Sequence, residues 1–402
     1  MKIGFDFRMG GSINAGIGRY SFELLKTMLD RSTNDDFVVF YNANNVNTAD
    51  LEELQARGAE LVEANYRHYS FSEQLFFPRL LKAHHLDIVH FPNFNVPLLY
   101  KGEYVVTIHD MVHHKISGHK KSRYIKFLAY KYIIEQAAKR AKKIITVTEA
   151  AKKEIIEYLG TDPNKIEVTY EAPAPVVKNP GDFNRLKENF LINAPYLLFV
   201  GTLERKKNIV NLCLGFDKLL SKYNYNLDLV LVGKVDSHYP EVKEQALSIK
   251  HRNRLIFTGY VNNNDQANFY QNAFAFVTAS LHEGFGLPGL EAMQYGTPVL
   301  AANTEVFNEV YDDAAIYFDG LDPDDIADKI NLLVSDQPFH ESMRKKSLKR
   351  AAMYSWERTA DQTLKIYKDT QSLIPIPDKK PESIPQVEPR APESKEYSPE
   401  LE

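Results

Sequence analysis

The stretch LHEGFGLPGLEAMQYGTPVL, residues 281–300, places two carboxylates, four glycines and two prolines in twenty positions. A core segment excludes unpaired carboxylates, because burying a lone charge is very costly. A surface helix excludes the glycines, each of which weakens a helix interior by about 1 kcal/mol. The stretch resolves instead into a loop followed by a short helix. Pro288 suits the first turn, Gly296 the position just past the end, and Pro298 the stop beyond it, which predicts a helix over 288–295. The Gly284-Phe285-Gly286 loop ahead of it exposes backbone N–H groups, and the helix end adds partial positive charge. Together they form an anion site suited to a diphosphate. Glu291, read in the first turn, and Glu283, ahead of the helix, then flank the anion as acceptors for a ribose and a hexose. The plainer alternative makes Glu291 a helix-dipole partner and Glu283 a cap, but it leaves the paired glycines unexplained.

Outward from this stretch, short apolar runs alternate with helix-period segments. Strands are predicted at 2–7, 37–41, 87–91, 104–109 and 143–148, then at 196–201, 227–233, 255–259, 273–279 and 298–302. Helical patterns cover 17–30, 71–84, 121–141 and 149–159. This is an α/β pattern of parallel sheets with helices on both faces. Three prolines and a glycine in EAPAPVVKNPGDF (171–183) break both periods and read as a domain connection. A chain of 402 residues also exceeds what one core usually supports. The expected division is 1–175, 176–355, a helix over 356–370 crossing back to the first domain, and a disordered tail over 371–402. That tail has seven prolines and seven acidic residues in 32.

Apolar content of 44% and charge of 25% are those of a soluble globular protein, and a net charge of -4 gives no pull toward nucleic acid. The single cysteine, Cys213, excludes an intramolecular disulfide and a thiolate cluster, and is expected to be a buried apolar residue. MKIGFDF reads as a strand rather than a signal peptide, and no run of eighteen apolar residues occurs. A cytoplasmic protein is expected.

Three further stretches carry chemistry. In FVGTLERKKNIV (199–210) a strand ends at Gly201, and Arg205, Lys206 and Lys207 follow before a helix. Cations at a strand end can stabilise a departing diphosphate, or they can form a solvated basic turn. FRMGGSINAGIGRYSFELL (7–25) carries a glycine-rich loop between the first strand and a helix, but Ser21 replaces the third glycine of a dinucleotide fingerprint. FVVFYNANN lacks the acidic residue expected after the next strand, so a Rossmann dehydrogenase is not the expected reading, while a loop that lets backbone approach a ligand's phosphates still fits. VVTIHDMVHH (105–114) ends a strand at His109, which suits either a bond to a substrate hydroxyl or a purely structural role. His109, Asp110, His113 and His114 match no metal-site spacing, and Asp322-Pro323-Asp324 reads as a helix cap, so no metal site is expected.

VGTLERKKN, GIGRY, IHD, Asn308-Glu309-Val310 and above all SLHEGFGLPGLEAMQYGTPVLAAN resemble the retaining glycosyltransferases of family four, with the GT-B fold of two Rossmann-like domains facing a cleft. The resemblance runs over about residues 1–370. It implies transfer of a hexose from a nucleotide-diphosphate sugar (GDP-mannose or a UDP-sugar) to a glycan or lipid-linked acceptor in polysaccharide or cell-envelope synthesis. No metal or other cofactor is implied. The first domain would bind acceptor and the second the donor. Glu291 matches the ribose ligand, and Glu283 the residue at the donor sugar hydroxyls. Phe285 and Gly286 match backbone contacts there, with Leu287 in the same segment. Lys207 matches the diphosphate lysine, and Gly201 belongs to the same donor loop. Lys206 stands where arginine is usual and Arg205 where proline is usual. Gly16 matches a loop glycine near the diphosphate, and His109 a donor-sugar contact. Glu283, His109 and Lys207 are the expected catalytic residues. Tyr170-Glu171-Ala172 replaces the usual Asn-Gly at the hinge. A binding protein that lost transfer and an epimerase of the same fold are the alternatives. Finally, residues 115–143 hold ten Lys or Arg and one acidic residue, with Tyr124, Phe127, Tyr130 and Tyr132 interleaved. That composition suits either a helix docking peripherally on anionic lipid at the inner face of the plasma membrane or a solvated helix with its aromatics toward the core.

Overall fold

A computed structural model describes residues 1–11, 15–111 and 121–372. His113, His114 and the tail from 373 to 402 lie outside the described residues, as does the side chain of Tyr124.

Seven strands form the first sheet: β1 (Lys2–Asp6), β2 (Asp36–Tyr41), β3 (Glu60–Glu63), β4 (Ile88–Phe91), β5 (Tyr104–Thr107), β6 (Lys143–Thr146) and β7 (Ile166–Val168). Their order is β3-β2-β1-β4-β5-β6-β7. Six form the second: β8 (Tyr196–Val200), β9 (Asp228–Val232), β10 (Leu255–Gly259), β11 (Ala275–Thr278), β12 (Val299–Ala302) and β13 (Ala315–Phe318), in the order β10-β9-β8-β11-β12-β13. Every strand pair is parallel. Helices therefore bury both faces, which is why every residue of β4, β5, β9, β11 and β12 is buried and most are apolar. The strand order reverses between β1 and β4 in one sheet and between β8 and β11 in the other. Loops leaving such neighbours diverge and open a crevice at their C-terminal ends. The stretch quoted first leaves β11, and the triple-cation stretch leaves β8. Strands β3, β7 and β13, absent from the predicted runs, are all sheet edges.

The helix Trp356–Ser372 runs two residues past its expected end and packs on the first domain. Trp356, Ala360, Leu364 and Tyr367 share a core with Phe5, Tyr20, Leu24 and Met28. The Tyr367 hydroxyl lies 2.5 Å from His90 Nδ1, and His90 Nε2 lies 2.8 Å from the Thr107 hydroxyl. Burial, and to a lesser degree His109, holds the His90 pKa down at about 3, so this imidazole is neutral. At the start of the same helix, Trp356 Nε1 donates to the Pro173 carbonyl at 3.2 Å, and Thr359 Oγ1 to that of Tyr170 at 2.6 Å. The connection between the sheets is thereby tied to the first domain.

Tyr367→Phe keeps the ring and leaves one buried His90 nitrogen unpaired, so urea unfolding should show a loss of about 1–3 kcal/mol. An unchanged midpoint and slope would show that this bond does not anchor the helix.

Candidate active site

The site grows from the two loops that leave β8 and β11. Beyond Gly201 the first loop tightens into a turn at Arg205–Lys207, and Asn208, in the left-handed region at φ 55°, starts the helix Ile209–Tyr223. Lys207 Nζ lies 2.5 Å from Glu283 Oε1, an ion pair that bridges the two loops and keeps under a fifth of either side chain exposed. The Leu281 N–H donates to the Lys206 carbonyl at 3.2 Å, pinning the loops a second time. Lys206 Nζ lies 3.3 Å from Glu204. Burial opposes its charge, but Glu204, Glu283 and Asp110 together hold the Lys206 pKa above the ordinary lysine value. Arg205 does not join this cluster. It is 69% exposed on its side chain, bonds Glu241 at 2.7 Å and lies over the Tyr239 ring.

The helix after the glycine loop spans Leu287–Gln294. It starts one residue earlier than predicted, so Glu291 opens the second turn and is no dipole partner of the first. Gly286 has φ 94°, where a side chain is strained, and its carbonyl accepts from the Tyr311 hydroxyl at 2.6 Å. A Cβ on Gly289 would come 2.3 Å from that hydroxyl, so both glycines let Tyr311 pack beneath the helix start. The Phe285 ring is buried between Tyr170 and Tyr354. Leu287, half-buried, begins the helix.

Glu291 is 4% exposed. One carboxylate oxygen accepts from the Tyr270 hydroxyl at 2.8 Å and from Gln266 at 3.2 Å, and the other pairs with the Arg19 guanidinium of the first domain. Attraction to Glu291 outweighs burial and raises the Arg19 pKa. Arg19 belongs to the helix Ala15–Arg31, which begins inside the predicted loop, so exposed Gly16 sits in its first turn rather than in a loop. No atom stands within 4 Å of a Cβ placed on Gly16.

His109 follows β5. Its Nδ1 lies 3.0 Å from Glu171 Oε1, and its Nε2 3.0 Å from the Pro92 carbonyl. Both partners are acceptors, so the ring must donate from both nitrogens and carry a charge. Burial opposes that charge, but Glu171 and the Pro92 carbonyl raise the His109 pKa above its usual value. A substrate hydroxyl reaching this ring has to displace one of these bonds. The His109 carbonyl lies across the cleft against Gly284, where a Cβ would stand 2.9 Å from it. Nearby, Thr148 Oγ1 donates to the Gly284 carbonyl at 3.2 Å. The Glu309 carboxylate accepts from the Glu149 and Ala150 N–H groups at 2.7 and 2.9 Å, capping a first-domain helix from the second.

Glu283, Lys206, Lys207, Gly286 and Glu291 thus gather on the second domain, facing Arg19 and His109 of the first. Sequence reasoning missed three partners. Arg19 lay within the quoted GIGRY and Glu171 within the departure at the hinge, whereas Tyr270 carried no signal. Among the described residues, no group of three or more His, Cys, Asp or Glu is placed to hold a metal ion. Asp322 caps the helix Pro323–Ser335 as read from sequence. Cys213 is buried, and burial pushes its thiol up to about 12. A cavity of about 570 Å³ lined by Leu281, Asn303, Thr304, Asp319 and Lys329 includes none of these charged groups. We take the charged cleft as the site, because it brings acceptors, ammonium groups and a helix N-terminus together.

A family profile described as "Glycosyl transferases group 1" matches residues 182–350, and one described as "Glycosyltransferase Family 4" matches residues 15–172. The O-antigen chain mannosyltransferase B of Escherichia coli is 28% identical over 88% of this chain and 96% of its own. The O-antigen chain mannosyltransferase RfbU of Salmonella typhimurium is 28% identical over 64% of this chain and 67% of its own. In fold, the chain is similar to Anabaena HepE, solved in complex with UDP-glucose. The TM-score is 0.73 at 17% identity, over 92% of this chain and 100% of that one.

The charged His109 gives a pH signature. A raised folded pKa contributes stability that is full below the unfolded value of about 6.5 and is lost as pH rises through the folded one. Glu171→Gln should therefore melt below the wild type in mild acid, with the gap closing as pH rises through the raised His109 pKa. A gap independent of pH would contradict the charged assignment.

Proposed function

The chain belongs to the group 1 and family 4 glycosyltransferases, and on that premise we propose that it moves a hexosyl unit, mannosyl by preference, from a nucleotide-diphosphate sugar to an acceptor hydroxyl with retention. The observation that carries the reading is the Lys207–Glu283 pair at the β8/β11 crossover, with Glu291 beside it. The O-antigen mannosyltransferases among the relatives support mannose and a cell-envelope polysaccharide.

In this reading the diphosphate enters at the start of the helix Leu287–Gln294. Lys207 and Lys206 neutralise it together with the helix end, and no metal takes part. Glu291 accepts from the ribose hydroxyls in exchange for Arg19, and Glu283 turns to the hexose hydroxyls. The bond from the anomeric carbon to the phosphate oxygen breaks, and a bond to the acceptor oxygen forms on the same face. The acceptor proton passes to the leaving phosphate, so no separate base is required. His109, charged and fixed by Glu171, adds positive potential on the acceptor side.

The acceptor is read as a glycan or a lipid-linked sugar at a membrane surface. No helix of the described residues is long and apolar enough to cross a membrane. On the helix Lys121–Arg140, Tyr130 packs against Phe94 while Leu128 and Tyr132 stay exposed beside Lys131. The exposed pair supports peripheral docking on anionic lipid, with Tyr130 serving the core.

Lys207→Ala and Glu291→Ala should each weaken nucleotide-sugar binding about thirtyfold, or about 2 kcal/mol, while Glu283→Gln mainly lowers turnover. Transfer should survive EDTA, and NMR of the product should show the donor's anomeric configuration. Normal kinetics in all three variants, or inversion, would refute the assignment. Sedimentation with vesicles should require anionic lipid and fall with salt, since exposed charges are screened over about 8 Å at physiological ionic strength. Indifference to anionic vesicles at low salt would favour a soluble acceptor.

A further inference from the structure

Beyond β1 lies a buried charge network that the donor site does not use. Arg8 is fully buried and forks onto Asp6 at 2.8 and 2.7 Å, with its guanidinium 3.8 Å above the Phe77 ring. It also reaches the Tyr66 carbonyl at 3.4 Å and Glu73, which is 2.9 Å away and 2% exposed. Glu73 also accepts from the Tyr69 N–H at 2.7 Å, and it lies 3.2 Å from His68 Nδ1. Desolvating three charged groups is costly, so a network of this kind is retained where it holds something in place. What it holds is Tyr69, at φ 61°, a region that strains a bulky residue.

The consequence is a tyrosine left 57% exposed at the corner of the first domain's crevice. Beside it are two buried polar atoms without a hydrogen-bond partner among the described residues, Asn95 Oδ1 and His68 Nε2. Asn95 itself is 6% exposed. Burial raises the Tyr69 hydroxyl to about 12 and the neighbouring Asn95 works against it, which sets the two side chains together. The corner shares neighbours with the reacting end of the cleft. Asn95 stands three residues beyond Pro92, the partner of His109. Tyr130 feels both Tyr69 and Asp110, and the Asp110 Cβ lies 3.6 Å from where a Cβ of Gly284 would be.

A fixed, largely exposed tyrosine with two unpartnered hydrogen-bonding atoms on its neighbours matches a pyranose, with its C–H face for the ring and its hydroxyls for those atoms. We propose that Tyr69 stacks on a sugar ring of the acceptor, whose hydroxyls bond Asn95 Oδ1 and His68 Nε2. With Nδ1–H donated to Glu73, Nε2 is an acceptor like Asn95 Oδ1, so both receive sugar O–H groups. The inference rests on the transferase reading and adds to it where the acceptor sits and by what chemistry. Arg8, Asp6 and Glu73 are positioning residues, because they act on the sugar through the Tyr69 backbone.

The test uses the full chain with methyl α-mannopyranoside, methyl α-glucopyranoside and methyl α-galactopyranoside as probes, read by saturation-transfer NMR. Wild type and Tyr69→Phe should saturate the ring C–H protons of at least one glycoside, and Tyr69→Ala and Tyr69→Gly should reduce that signal about fivefold. Tyr69→Gly relieves the backbone strain and should melt above Tyr69→Ala, separating loss of binding from loss of fold. Calorimetry with GDP and UDP should give wild-type nucleotide affinity in all three variants. The proposal is overturned if wild type saturates none of the glycosides, if Tyr69→Ala matches wild type, or if nucleotide affinity falls with the stacking signal. Failure of the wild type to bind either nucleotide would instead count against the donor reading.

Discussion

The contact on which the site depends is the Arg19–Glu291 ion pair. A carboxylate this deeply buried cannot keep its charge without compensation. Tyr270 and Gln266 supply hydrogen bonds from its own domain, but the balancing charge comes from the opposite one. The demand of one glutamate thus couples the two sheets. Arg19 in turn depends on the helix Ala15–Arg31, against which the helix Trp356–Ser372 packs. The helix Trp356–Ser372 therefore supports the residue that neutralises Glu291. On the other side, Tyr311 fixes the start of the helix that carries Glu291 by filling the space that Gly286 and Gly289 leave.

The same economy of charge recurs at Lys207 and Glu283, which satisfy each other in a largely buried setting. A site built to hold a diphosphate and several hydroxyls carries cations and acceptors that are costly to leave unpaired. Here each cation covers an acceptor. Under the proposed function, donor binding is then an exchange, in which phosphate takes Lys207 and ribose takes Glu291. Arg19 and Glu283 are released toward new partners, and no buried charge is stranded along the way. Glu309 at the Glu149 and Ala150 N–H groups and Thr148 at Gly284 show how closely the two faces meet. That closeness explains why a glycine stands at 284.

Much of this was legible in sequence, for physical reasons. Central parallel strands are buried on both faces and read as apolar runs, which made β8, β9 and β11 plain. Edge strands are half-solvated: ELVE at β3 and IEV at β7 carry charges and show no such run. The glycines and prolines around Glu291 gave the loop and helix, because few residues tolerate those backbone positions. The start of the helix Ala15–Arg31 was misplaced because Gly16 and Gly18 argue for a loop, a propensity that packing against the C-terminal helix overrides. Pairings were the illegible part. Nothing local to Arg19 says that its partner is 272 residues away, nor that Glu171 exists to charge His109. Such partners become visible only when the topology brings the strand ends together.

The most direct measurement is a chemical double-mutant cycle at Glu291, by calorimetric titration of GDP and 2′,3′-dideoxy-GDP, or the uridine pair if UDP binds more tightly. If the ribose hydroxyls replace Arg19 on Glu291, wild type prefers the ribonucleotide by about tenfold or more, the worth of a charge-assisted hydrogen bond. Glu291→Ala then binds the two forms alike. Equal affinity of wild type for both, or a preference that survives in Glu291→Ala, would place the ribose elsewhere and contradict the role given to Glu291.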